Sequence, residues 1–230
     1  MIWLIRIPMT PFLRAAFLAV LLAPSVTLAH GISEADKQAM LEGGYFQYAV
    51  LGAKHMLTGY DHLLFLFGVI FFLTRFRDIA KFVTAFTLGH CITLIFATFL
   101  GITWNYWLVD AVIALTVIYK GFDNNGGFQR HLDMKSPNLV AAVFVFGLVH
   151  GFGFAAVLAD LGLPQNALVL ALVGFNVGVE LGQLAIVAVF LPIAFGLRTT
   201  NFYRSGVLTG GSILVALLAL WWFVERAFNL

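Results

Sequence analysis

The sequence predicts an all-α integral membrane protein, a six-transmembrane-helix bundle that follows a cleaved N-terminal signal peptide. Three observations predict it. Hydrophobic residues make up 61% of the chain and charged residues 10%, whereas soluble domains run near 25% charged. Six stretches have roughly the 20 predominantly apolar residues that span a bilayer core: 55–73, 79–99, 104–120, 138–158, 167–191 and 206–224. Basic residues fall only in alternate connections between them.

Taken in order, the N-terminus reads as a secretory leader. Arg6 and Arg14 supply its positive region, Ala15 to Ala23 a short apolar core, and Thr27-Leu28-Ala29 a cleavage site ending in a small residue. Residues 1–29 are therefore assigned to the signal peptide. Residues 30–54 form an external N-terminal segment, polar through Glu34, Asp36, Lys37 and Glu42, and residues 55–230 the six-helix domain. Between the third and fourth spans, Gly121 to Pro137 reads as the one sizeable internal loop.

Charge orients the bundle. The connection after span one carries Arg75, Arg77 and Lys81, that after span three Lys120, Arg130 and Lys135, and that after span five Arg198 and Arg204. The alternate connections near 100–103 and 159–166 carry no Lys or Arg. The positive-inside rule puts the basic end in the cytoplasm and both mature termini on the outer, periplasmic side of a bacterial-type inner membrane. The net charge of +2 is dispersed, so nothing points to nucleic acid. A single cysteine, Cys91, excludes an intrachain disulfide and a thiolate zinc site.

Against this background the ionisable residues stand out. His55, Asp61 and His62 lie in span one, His90 in span two, Asp110 in span three, His150 in span four and Glu180 in span five. Each costs roughly 2.5–3.5 kcal/mol at a helix centre on insertion scales. Imidazole and carboxylate are the side chains that bind divalent transition metals or relay protons. His55 and His62, seven residues apart, share a face of a continuous helix, and Asp61, about 100° around from His62, is placed to flank the same cavity or to orient an imidazole of a neighbouring helix from behind. Gly59 lets another backbone come close.

Thr93 shares a face with His90. His150 is followed by Gly151-Phe152-Gly153, glycines that suit close packing or an opened turn. In span five, Gly174, Gly178 and Gly182 make one stripe, while Asn176, Glu180 and Gln183 make the roughly opposite one. The glycine stripe suits a closed homo-oligomer and packing within one chain equally. Cleavage after Ala29 would expose His30 as a residue with both an amine and an imidazole, a further metal chelator. The metal ligand set expected is thus His30, His55, Asp61, His62, His90, His150 and Glu180, supported by Asp110, Thr93, Asn176 and Gln183.

Several of these pieces resemble the HupE/UreJ family of membrane proteins. They are His55-Met-Leu-Thr-Gly-Tyr-Asp-His62-Leu-Leu-Phe65, Phe86-Thr-Leu-Gly-His90-Cys-Ile-Thr93, Phe146-Gly-Leu-Val-His150-Gly-Phe-Gly-Phe-Ala155 and Phe175-Asn-Val-Gly-Val-Glu180-Leu-Gly-Gln183. They cover four of six spans and mark a divergent branch, with Cys91 where Ser is expected and Asp110 where Glu is. The resemblance implies a nickel or cobalt permease.

Two functional classes follow. One is a divalent-metal permease reached from the outer side, carrying nickel, cobalt, zinc or copper, which donor type alone does not separate. The other is an intramembrane zinc-type hydrolase using the same residues. No Walker motif is present, so the chain does not itself hydrolyse nucleotide. Few polar residues mark the inner ends of the spans, so the inner half of a transport path is left without an explanation at this level.

Overall fold

The computed structural model describes residues 38, 45–70, 72–73, 75–102, 104–160, 165–200 and 202–228, and all the regular structure among them is helical. The elements are α1 (Tyr45–Thr58), α2 (Tyr60–Ile70), α3 (Phe76–Leu100), α4 (Tyr106–Asn124), a short α5 (Gly127–His131), α6 (Leu139–Asp160) and α7 (Gln165–Leu197). A π-helical stretch, Phe202–Gly210, then runs into α8 (Gly211–Phe228). The expected leader and His30 lie outside the described residues.

Among the described residues, three helical segments are long and apolar enough to cross a membrane: Phe76–Leu100, Leu168–Leu197 and Gly206–Phe228. Tyr60–Ile70 and Leu139–Ala155 are apolar but shorter. The expected first span is not one helix. It breaks at Gly59, and the helix before the break already starts at Tyr45, inside the segment expected to lie external. The reading missed the break because the apolar pattern runs straight across it.

Local chemistry sets the other ends. Asn105 caps α4, its side-chain oxygen accepting from the backbone N–H of Trp107 at 2.9 Å. Asn138, just after Pro137, caps α6 in the same way through Ala141 at 3.1 Å. Gly101 closes α3 with φ +63°, a left-handed position that favours glycine. The expected loop from Gly121 begins as helix, because α4 continues to Asn124.

Three helix pairs build the bundle: α1 on α7, α3 on α6, and α4 on α8, with α2 packed mainly on α4. Glycine brings each pair together. A Cβ on Gly52 would strike the Phe175 carbonyl of α7, and one on Gly178 the Ala49 carbonyl of α1. Gly89 and Gly147 place α3 and α6 in the same backbone-to-backbone contact, and Gly121 lies against Ser212 and Ala216 of α8. With lipid outside as apolar as the core, close van der Waals approach is what makes such pairs cohere. The glycine stripe of α7 is thus used within the chain.

At the basic end, α2 is tied down by polar contacts. Asn124 donates to the Gly68 carbonyl at 2.7 Å, and the buried Lys120 ammonium pairs with Asp123 at 2.9 Å. Lys120 and Asp123, expected as loop residues, therefore belong to the packed end of α4.

Candidate metal centre

The break at Gly59 puts the two halves of the His55-x5-Asp61-His62 element on separate helices and yet brings their rings together. His55 ends α1, and Asp61 and His62 open α2. The His55 and His62 ring centroids are 4.8 Å apart. Gly59 is required by space: a Cβ there would come to 2.8 Å from His62 Nδ1, 2.9 Å from Asp61 Oδ1 and 2.9 Å from the His55 carbonyl.

His90 of α3 completes a cluster. One ring nitrogen from each of His55, His62 and His90 lies within 4.8 Å of the others, and the latter two residues are buried. Two nitrogens bound to one ion at about 2.1 Å can be no more than about 4.2 Å apart. Small side-chain rotations therefore bring the three onto a common ion. His150 of α6 is adjacent, its ring centroid 5.3 Å from that of His62. It is fully buried, and its Nε2 has no hydrogen-bond partner.

The atoms behind the rings set which nitrogen is available. His150 Nδ1 lies 2.7 Å from the Phe146 carbonyl, which can only accept, so the proton sits on Nδ1 and Nε2 keeps its lone pair. His62 Nδ1 faces the Asp61 carboxylate at 2.9 Å. His90 Nδ1 faces Asn176 Oδ1 at 3.4 Å. Asn176 has little choice of orientation, because its Nδ2 donates to the Leu172 carbonyl at 2.8 Å. His90 and His150 are thus held with Nδ1 as donor and Nε2 as base, the arrangement that orients imidazole toward a metal, while His62 Nδ1 is in charge contact with the Asp61 carboxylate without a hydrogen bond between them. A proton wire would need nitrogens that can exchange roles.

The remaining expected residues divide. Asn176 backs His90, and Asp61 lies against the ring of its own neighbour, His62. Gln183 is buried and accepts from Thr87 Oγ1 at 3.3 Å. Thr93 is buried where Gly151 of α6 comes close to α3. Glu180 is half-buried on α7 and falls outside the three-histidine group. Asp110 is buried, but the partner seen is Arg226 of α8, whose Nε is 3.5 Å away and whose guanidinium lies over Trp107. Asp110 is therefore placed as the partner of a cation joining α4 to α8. Sequence reasoning missed this pair because Arg226 lies beyond the expected last span.

A family model described as HupE / UreJ protein matches residues 32–226. No curated protein and no solved structure matches the chain.

Proposed function

The chain belongs to the HupE/UreJ family, and with that as premise we propose that it is a divalent transition-metal permease with a nickel- or cobalt-like cargo. The observation that carries this reading is the cluster of half-buried His55 with buried His62 and His90, with His62 and His90 backed on their Nδ1 side by Asp61 and Asn176. Such a cluster suits a borderline dication of the nickel, cobalt, zinc and copper group. His150 is the fourth ligand, and Glu180 on α7 takes part in holding or relaying the metal.

In this reading the basic end, with exposed Arg75, Arg77, Lys81, Arg130 and Lys135, faces the cytoplasm of an inner membrane. The six spans follow a leader cleaved after Ala29, and His30 receives metal outside. The membrane potential then draws a dication inward with about 4.6 kcal/mol per 100 mV.

The test is metal uptake into proteoliposomes offered Ni²⁺, Co²⁺, Zn²⁺ or Cu²⁺, for the native chain and His62→Ala. Accumulation far beyond protein stoichiometry, lost in the variant, is expected. Stoichiometric retention without accumulation would overturn transport and favour an intramembrane zinc-type hydrolase at the same histidines.

A further inference from the structure

The metal cluster leaves one half of the bundle to be crossed, and a small cavity of about 20 Å³, room for about one water, lies on that side of it. Its lining includes His62, Val69 and Ile70 of α2, residues spread over about 12 Å of helix at 1.5 Å per residue. It ends at Leu73 and Ile79, beside the basic Arg75–Lys81 connection. One wall is the α2 stripe that continues from His62 at helical spacing, and the facing wall is the α3 stripe that includes Val83. Among the described residues, Gln183 and His62 are the only polar side chains lining it.

A bare dication cannot rest in such a space, because an unpaired charge in apolar surroundings is strongly disfavoured. Water can fill a narrow apolar passage or leave it, and such constrictions gate ion flow by dewetting. The walls come from different packing partners. Val69 moves with α2, which is anchored to α4 through Asn124 and the Gly68 carbonyl. Val83 moves with α3, which is clasped to α6 through Gly89 and Gly147.

We propose that this cavity is the route from the histidine cluster to the basic end, and that its apolar wall is the gate closing it. The gate holds the cation at the histidines until the α2 and α3 walls separate enough to admit water. This rests on the permease reading and supplies the half of the path that the sequence left without polar residues.

Two variants test it, each measured for metal flux into proteoliposomes and for stoichiometric metal binding in detergent. Val83→Phe fills the cavity and is expected to abolish flux while binding persists. Val69→Thr, nearly isosteric, adds a hydroxyl to the wall and is expected to raise flux above the native rate with binding unchanged. Native flux in Val83→Phe would overturn the route, and unchanged flux in Val69→Thr would overturn the gate. If Val83→Phe fails to fold, Val69→Thr alone decides. A native chain that binds metal but passes none would instead defeat the permease reading itself.

Discussion

An imidazole binds metal through one lone pair, and the group behind the ring decides which nitrogen carries it. Asn176 is the clearest case here. Its amide is fixed by the Leu172 carbonyl and so presents oxygen, not nitrogen, to His90. Asn176→Leu is expected to keep the fold and weaken metal binding by roughly 10–100-fold, the usual effect of losing a group that orients a ligand. Calorimetric titration of the purified variant with Ni²⁺ or Zn²⁺ measures this. Much of the site was legible at this scale, since ionisable residues in apolar runs are expensive enough to announce themselves. What the sequence did not carry was their pairing. Nothing in the order of residues says that Asp61 lies against the His62 ring, or that Asp110 meets Arg226. Those depend on rotamers and on neighbours far along the chain.

Helices in lipid associate through shape, and in this bundle the shape is made by glycine. Gly178 presses against the backbone of α1, and a carbonyl cannot move aside as a flexible side chain can. Gly178→Ala is expected to destabilise the protein by about 1–3 kcal/mol through overpacking. A lower midpoint in thermal unfolding monitored by circular dichroism, with metal-binding stoichiometry retained in the folded fraction, would show it. The stripe of small residues was visible in the sequence, but its partner was not. A four-residue repeat looks the same whether it meets another copy or α1 of its own chain. The break at Gly59 was hidden for a related reason: the apolar periodicity of α2 continues that of α1, and one glycine inside such a run is common in membrane helices.

The whole molecule spreads the clustered histidines over three packed parts. His55 rides on the α1–α7 pair, which also carries Asn176, while His90 and His150 ride on α3–α6. His62 and Asp61 ride on α2, which is anchored to α4. An ion shared among them would tie these parts together, so metal should stabilise the assembly as a whole. Saturation at 100 times the dissociation constant corresponds to about 2.7 kcal/mol. A rise in unfolding temperature with Ni²⁺ or Zn²⁺, absent in His62→Ala, is the expected outcome of a thermal-shift assay. The helical class was legible from composition, because few sequences of this hydropathy can do anything else in a bilayer. The arrangement of the pairs was not, because it joins helices remote in sequence.

The pairing of α1 with α7 also sets an order of events during synthesis. The ribosome delivers α1 and α2 ahead of α3 to α8, with His55, Asp61 and His62 already on them. The helix that clasps α1 follows after more than a hundred residues, a delay on the order of ten seconds at ordinary elongation rates. Over that interval the polar groups of the first two helices have no finished bundle to enter, and bare lipid is a poor host for them. Biogenesis of this protein therefore depends on shelter for α1 and α2, at the translocon or at the membrane surface, until α7 arrives.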